Sequence, residues 1–180
     1  MKKEELRFTG SGGQGVILGT IILAEAAFLD GKKVVQSQSY GPEARGGMCK
    51  AETIVSDEQI HYTKVTVPTL LLSLTQISFD KYCKKIGKET VVLVDSSIKV
   101  SDQIRKTHKV LSLPILDSAK DVIKNPMAAN IISVGAVNEA LQIASLKSLE
   151  EAVVGHIPKG TEALNIKAMH LGADLVKNAK

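Results

Sequence analysis

Two short apolar runs in the middle of the chain constrain its fold most strongly. Leu70 to Leu74 and Val91 to Val94 contain one polar residue between them, Ser73. Strands have such continuous apolar stretches when helices cover both faces of their sheet, which is typical of parallel sheets. The segment from Ser78 to Lys85 lies between the two runs and is predicted to form a helix. The pattern therefore predicts an α/β fold with a mostly parallel sheet.

The other segments extend this sheet and surround it with helices. Further strands are predicted at Leu6 to Thr9, Lys33 to Ser37, Met48 to Ser56 and Val110 to Pro114, the last at an edge. Further helices are predicted from Val16 to Asp30-Gly31, from Asn125-Pro126 to Gln142, from Leu146 to His156 and from Thr161 to Lys177. A turn at Ser56 to Gln59, followed by Ile60 to Tyr62, predicts one antiparallel excursion.

The length and composition indicate one domain with a core of ordinary size. A chain of 180 residues with 44% apolar and 23% charged residues is typical of a single globular domain. We therefore expect residues 1–180 to form a three-layer, Rossmann-like α/β domain. It should have a mostly parallel sheet, an antiparallel excursion and a helical C-terminal region.

A glycine-rich turn follows the first predicted strand and precedes the first predicted helix. Gly10, Gly12 and Gly15 have the spacing GxGxxG, and Gly13 and Gln14 complete the turn. Without side chains, a phosphate can approach the backbone amides at the helix N-terminus, where several N–H groups lack partners. The turn is therefore a candidate anion site. The alternative is a purely structural role, in which the glycines permit a tight turn and close packing.

The second predicted strand argues against a standard nicotinamide site. In such sites an acidic residue at the end of that strand binds the ribose hydroxyls. Here the strand has Gln36 and Gln38, and the nearest acid, Asp30, precedes it. The glycine spacing is the one feature that keeps a stand-alone, NAD-dependent dehydrogenase as an alternative function.

A second loop with several glycines runs from Ser39 to Gly47 and contains Tyr40, Glu43 and Arg45. Ligand sites in open α/β sheets gather at the carboxyl ends of strands, so we expect this loop on the same rim as the glycine-rich turn. The planar guanidinium of Arg45 suits a phosphate or a carboxylate. An ion pair between Glu43 and Arg45 that orders the loop explains the two residues equally well.

Charge, aromatic content and cysteine spacing exclude several classes of partner. The 23 basic and 19 acidic residues are scattered, and aromatic residues make up 3%, so we expect no nucleic-acid partner. Cys49 and Cys83 form no CxxC pair, so we expect no metal site on this chain alone. The sequence has no secretory signal pattern and no apolar stretch long enough to span a bilayer, which predicts a cytoplasmic protein without membrane contact.

The two loops resemble those of one protein family. Arg7 to Val16, and Gln36 to Gly47 with the sequence QSQSYGPEARGG, are similar to the gamma subunit of 2-oxoacid:ferredoxin oxidoreductases. The turn at Ser56 to Glu58 and the chain length agree with this resemblance. Tyr40 and Ala44 resemble enzymes of 2-oxoglutarate more than those of pyruvate, whose loop commonly carries Phe and an additional Arg. Pyruvate and branched-chain 2-oxoacids stay open as substrates.

The resemblance implies an enzyme assembled from alpha, beta, gamma and delta-type subunits. Such an enzyme decarboxylates a 2-oxoacid with thiamine diphosphate, transfers the acyl group to coenzyme A, and passes electrons through iron-sulfur clusters to ferredoxin. The resemblance also implies that this chain alone holds none of these cofactors and is inactive when isolated. Its part would be one wall of a composite active site, formed by the turn from Gly10 to Gly15 and by Tyr40, Glu43 and Arg45.

Two further expectations concern how the chain associates. A subunit that evolved for assembly exposes apolar surface, so the isolated chain is expected to be able to pair with a second copy. The other alternative to an active-site role is a non-catalytic scaffold, whose loops only dock onto a partner subunit.

Overall fold

Six strands form one mixed sheet. The computed structural model describes residues 3–40 and 47–179. In chain order the strands are β1 (Glu4–Ser11), β2 (Lys33–Tyr40), β3 (Met48–Ser56), β4 (Leu70–Ser73), β5 (Val91–Asp95) and β6 (Val110–Leu113). Across the sheet the order is β2-β3-β1-β4-β5-β6. The strands β1, β4, β5 and β6 are parallel, which confirms the mostly parallel sheet.

The helices lie between and after these strands. They are α1 (Val16–Leu29), α2 (Gln76–Tyr82), α3 (Asp102–Thr107), α4 (Ile115–Asp117), α5 (Ala129–Leu141), α6 (Leu146–Gly155) and α7 (Glu162–Asn178). A 3-10 turn follows α2 at Cys83–Lys85, another precedes α5 at Pro126–Ala128, and α4 continues as a π-helical turn, Ser118–Val122. The predicted start at Asn125 is confirmed, since its side chain accepts a hydrogen bond from the Met127 amide at 3.1 Å. The sequence did not predict α3 or α4.

Helices cover both faces of the parallel half of the sheet. On one face α1, α5, α6 and α7 pack over a core that includes Leu6 and Leu72. On the other face Phe79 of α2 packs with Leu71 and Val92 in a second apolar cluster. Both apolar runs are therefore buried from two sides, which confirms the three-layer interpretation.

The antiparallel strand is β3, which pairs with β1 on one side and with β2 on the other. The sequence placed the excursion elsewhere, at a hairpin turn from Ser56 to Gln59, and that prediction is wrong. Residues 57–69 contain no strand. Because β2 and β3 are consecutive antiparallel neighbours, the chain reverses between Tyr40 and Met48 instead.

Side chains alternate along β1 and β3, so the two faces of this antiparallel half differ. Phe8 faces α1, where it lies against Gly19, and Thr53 donates a hydrogen bond to the Thr20 carbonyl at 3.1 Å. Arg7 and Glu52, one residue away on each strand, therefore point to the opposite face. The antiparallel half thus presents an apolar face to α1 and a polar face to the other side.

Candidate functional site

The glycine-rich turn and the second loop meet at one rim of the sheet. Ser11, the last residue of β1, pairs with Met48, the first residue of β3. The Gly12 amide donates a hydrogen bond to the Gly47 carbonyl at 3.1 Å. Tyr40, where the second loop leaves β2, pairs with Cys49. Since β2 and β1 point the same way, the carboxyl ends of both strands lie on this rim.

Hydrogen bonds within the glycine-rich turn fix its shape. The Gln14 side-chain oxygen accepts from the Ser11 amide at 2.8 Å, and the Gln14 amide donates to the Ser11 carbonyl at 3.3 Å. A Cβ on Gly10 would lie 2.5 Å from the same Gln14 oxygen and 3.0 Å from a methyl of Val16. Gly10 therefore leaves room for the Gln14 side chain, and the hydrogen bond that this side chain accepts from the Ser11 amide stabilises the turn.

Two further glycines of the turn have different surroundings. Gly15 has a φ of 69°, and a Cβ there would lie 2.5 Å from the side-chain nitrogen of Asn130, at the start of α5. Gly13 also has a positive φ, 91°, but a Cβ there would meet nothing within 4 Å. Close packing thus explains Gly10 and Gly15, whereas Gly13 borders open space into which a ligand would fit.

The N-terminus of α1 offers backbone donors beside that space. The first bond inside the helix joins the Gly19 amide to the Gly15 carbonyl at 2.9 Å, so the amides of residues 16–18 have no partner in the helix. Among the described residues no side chain caps this end, and its first turn has no acidic residue. The positive end of the helix dipole is therefore left for an anion.

A cavity of about 410 Å³ adjoins these amides. Its walls come from α1, through Ile17 and Ile21, and from β3, through Met48 and Cys49. Gly12 and Gly13 of the glycine-rich turn also line it. Burial raises the pKa of the Cys49 thiol, which keeps the thiol neutral near pH 7. The cavity is therefore suited to a ligand with an anionic group next to a less polar part.

Some of the predicted site residues line the cavity and others do not. Gly12, Gly13 and Gly15 line the cavity, whereas Gly10 and Gln14 do not line it and fix the shape of the turn. Tyr40 ends β2 on the same rim. Glu43 and Arg45 lie outside the described residues.

The strand order also bears on the nicotinamide alternative. In a dinucleotide site the second strand lies next to the first and brings its acid to the ribose. Here β3 separates β2 from β1. Gln36 does not face that rim, because its side chain donates a hydrogen bond to the Thr20 hydroxyl of α1 at 3.3 Å. Gln36, which stands where a nicotinamide site would have its acid, thus connects β2 to α1 by a hydrogen bond.

A buried polar cluster around Arg7 and Glu52 was not predicted from the sequence. Arg7 and Glu52 are buried side by side on the face of the sheet away from α1, at 4% and 3% exposure. A signal for it was available, since the alternation of β1 and β3 places Arg7, Lys50 and Glu52 on the same face.

Within residues 3–40 and 47–179, no three His, Cys, Asp or Glu side chains lie close enough together to hold a metal ion. No helix in these ranges combines the length and apolar character that crossing a membrane requires.

The sequence of this chain matches known proteins over nearly its whole length. Residues 5–175 match the family described as pyruvate ferredoxin/flavodoxin oxidoreductase. The 2-oxoglutarate synthase subunit KorC of Methanocaldococcus jannaschii is 42% identical, over 97% of this chain and 95% of the relative. The subunit of the same name from Methanothermobacter marburgensis is 36% identical, over 97% of each chain.

Solved structures agree with the sequence comparison. The gamma subunit of a keto/oxoacid ferredoxin oxidoreductase from Geobacter sulfurreducens has a TM-score of 0.84 and 38% identity, over 98% of this chain and 99% of that one. A 2-oxoglutarate:ferredoxin oxidoreductase from Magnetococcus marinus has a TM-score of 0.89 at 23% identity and contains this fold within 32% of its chain. The resemblance seen in the two loops is confirmed, and the chain belongs to the pyruvate ferredoxin/flavodoxin oxidoreductase family as a gamma-type member.

Proposed function

We propose that residues 1–180 act as one domain, the gamma subunit of an enzyme that oxidises 2-oxoglutarate and reduces ferredoxin. Relatives that are 42% and 36% identical over nearly their whole length carry the name 2-oxoglutarate synthase. Tyr40 and Ala44 in the second loop favour the same substrate. Pyruvate and branched-chain 2-oxoacids are the competing substrates.

The observation that carries an active-site role is the junction of the two loops. The hydrogen bond from Gly12 to Gly47 joins the glycine-rich turn to the end of the second loop, at the rim where α1 begins. Residues 16–18, whose amides have no partner within α1, line the same cavity. The arrangement supports one wall of a composite site, with Arg45 of the second loop as a further donor to an anion.

We infer that the cavity beside α1 holds part of coenzyme A, because its largely apolar walls suit that cofactor better than a purely polar substrate. The amides of residues 16–18 would hold a phosphate, and Ile17, Ile21 and Met48 would contact a less polar part. Bound there, coenzyme A supplies the thiol that accepts the acyl group. A 2-oxoacid carboxylate is the alternative anion at these amides.

Other subunits would complete the enzyme. We infer that alpha, beta and delta-type chains hold thiamine diphosphate and the iron-sulfur clusters and pass electrons to ferredoxin, and that this chain alone is inactive. The outward side of α1 supports contact with such chains. Ile17, Leu18 and Ile21 are partly exposed there and Phe28 is 64% exposed, although a surface helix normally has a polar outer face.

Reconstitution tests the proposal. The chain is co-expressed with the alpha, beta and delta-type subunits from the same genome, and reduction of ferredoxin is measured with 2-oxoglutarate, pyruvate or 2-oxoisovalerate plus coenzyme A. We expect the highest kcat/KM with 2-oxoglutarate and no turnover by the isolated chain. Oxidation of a 2-oxoacid or of NADH by the isolated chain would contradict the proposal.

Substitution of Arg45 separates an active site from a scaffold. In the complex, Arg45→Ala should lower turnover with coenzyme A while the subunits still co-purify in equal amounts. The control is Arg105→Ala in α3, which removes the same charge on a different part of the chain. Loss of assembly with unchanged turnover of the remaining complex would favour the scaffold.

A further inference from the structure

A second cavity, of about 670 Å³, lies on the face of β1, β2 and β3 that points away from α1. Its lining includes four basic side chains, Arg7, Lys50, Lys64 and Lys85, but one acidic side chain, Glu52. None of the residues that line the cavity beside α1 takes part. We call it the basic cavity.

Arg7 at the floor of the basic cavity has donors without acceptors. Its side chain is 5% exposed; the Nε atom donates to a Glu52 oxygen at 2.7 Å and the Nη2 atom to the Val65 carbonyl at 2.6 Å. The Nη1 atom is buried and, among the described residues, has no hydrogen-bond partner. A buried charged donor without an acceptor is destabilising, so an acceptor at Nη1 would be favourable.

Glu52 does not neutralise the cavity. The oxygen that binds Arg7 also accepts from the Lys50 ammonium at 3.0 Å, so two cations share one carboxylate oxygen. Lys64 and Lys85 are exposed at the edge of the cavity and form no ion pair within the described ranges. Counted over the described residues that line it, the cavity therefore has a surplus of positive charge.

The basic cavity also has neutral hydrogen-bond donors and a volume that suits a small molecule. Hydroxyl groups of Ser37, Ser39 and Thr66 line the same cavity and can donate to oxygen atoms. The volume lies within the range of about 300–1,000 Å³ that small-molecule sites occupy. The residue that lacks an acceptor lies at the floor and not on an outer surface, which favours a small molecule over an acidic segment of another subunit.

We propose that the basic cavity binds a small molecule with several anionic oxygen atoms, carried by phosphate or by carboxylate groups. Lys64 and Lys85 attract and neutralise the anion at the edge. Arg7 Nη1 becomes its donor at the floor, near the ring of Tyr82, whose centroid lies 5.8 Å from the guanidinium carbon. The inference does not rest on the function proposed above, because no residue of the glycine-rich turn contributes.

The test is an anion titration of the full chain with matched charge variants. Thermal unfolding and isothermal titration calorimetry are measured with pyrophosphate, inorganic phosphate or 2-oxoglutarate, each against sodium chloride at equal ionic strength. The cavity variant is Lys64→Gln with Lys85→Gln. The control is Lys106→Gln with Lys159→Gln, which removes the same charge from exposed positions in α3 and before α7.

For the unsubstituted chain we expect a saturable rise of the unfolding midpoint beyond that with chloride, and the more effective anion shows whether phosphate or carboxylate is recognised. The Kd should rise about tenfold in the cavity variant, since two attractive charges are lost, and stay unchanged in the control. Equal effects of all salts, or equal responses of the two variants, would overturn the proposal and leave contact with an acidic subunit segment as the explanation. Failure of the proposed function appears instead as missing ferredoxin reduction, which this titration does not measure.

Discussion

The two cavities lie on opposite faces of the same strands and have opposite chemistry. Cys49 and Lys50 are consecutive in β3, yet Cys49 lines the cavity beside α1 and Lys50 lines the basic cavity. The first cavity has apolar walls and backbone donors, whereas the second has charged side chains and a buried guanidinium. The difference shows that the alternation of a strand, more than its overall composition, decides which chemistry each face of the sheet presents.

The largest effect should come from removing the charge at the floor of the basic cavity. Arg7→Met leaves Glu52 buried with Lys50 as its remaining partner, so the free energy of unfolding should fall by about 3–5 kcal/mol. Urea denaturation of the full chain measures it. Lys50→Met is the control and should cost about 1 kcal/mol or less, because Lys50 is partly solvated. Equal losses in the two variants would mean that burial of Arg7 does not set its contribution.

The next effect concerns two glycines of the glycine-rich turn, which lines the cavity beside α1. Gly15→Ala should lower the free energy of unfolding by about 2–3 kcal/mol, since a left-handed backbone strains an L-residue and the new methyl meets Asn130. Gly13→Ala shares the positive φ but has open space, so about 1 kcal/mol is expected. Adding Asn130→Ala to Gly15→Ala should recover part of the loss. If Gly13→Ala is as costly as Gly15→Ala, close packing is not the reason for Gly15.

A substitution on the outward side of α1 should change the stability of the chain less than the glycine substitutions do. It should have a larger effect on binding to the other subunits. Phe28→Ser should change the free energy of unfolding by less than about 1 kcal/mol because the ring is 64% exposed. Binding to the other subunits should weaken roughly tenfold if this side is buried in the complex. Ile77→Ser in α2, where the side chain is 70% exposed, is the matched control. Surface plasmon resonance against the purified partner subunits distinguishes the two positions.

The smallest effect on stability is expected from Asp30, a carboxylate at the surface. Its contribution can be compared with that of the buried pair of Arg7 and Glu52. Burial acts to raise the pKa of Asp30, but hydrogen bonds from Ser148 and Ser145 outweigh it and bring the pKa below the ordinary 3.8. A lowered pKa in the folded state stabilises the chain above the ordinary value, and this contribution is lost as the pH falls through the lowered one. Asp30→Asn should therefore cost less than about 1 kcal/mol at pH 7, because solvent screens the group.

Urea denaturation between pH 7 and pH 2 measures that contribution. The difference in free energy of unfolding between the unsubstituted chain and Asp30→Asn should shrink once the pH falls below about 4. A difference that stays constant over this range would show that the carboxylate charge has no part in joining α1 to α6.

Local patterns were sufficient for much of the fold. The apolar runs at β4 and β5 predicted buried parallel strands, and Asn125 predicted the start of the helical C-terminal region. The failed hairpin at Ser56 to Gln59 has a physical cause, since a polar turn sequence shows that the chain bends but not which strands pair after it. Similarly, α3 is one and a half turns long, too short for a helical period to stand out.

The candidate site was predictable in part. The spacing of the glycines located the turn, and the residue types of the second loop indicated an anion. The sequence left open whether the glycines serve packing or a ligand. Contacts across the fold answer that residue by residue: Gly15 is explained by Asn130, more than a hundred positions away, while Gly13 borders the cavity.

Residues close together in the chain were enough to predict the α/β class, the glycine-rich turn and the family to which the two loops belong. The three-dimensional fold was needed to show that β3 lies between β1 and β2, that Gly12 bonds to Gly47, and that Arg7 and Lys50 both contact Glu52. These features arise from pairing between distant segments. Their energies depend on burial and distance, which a local pattern of residues does not contain.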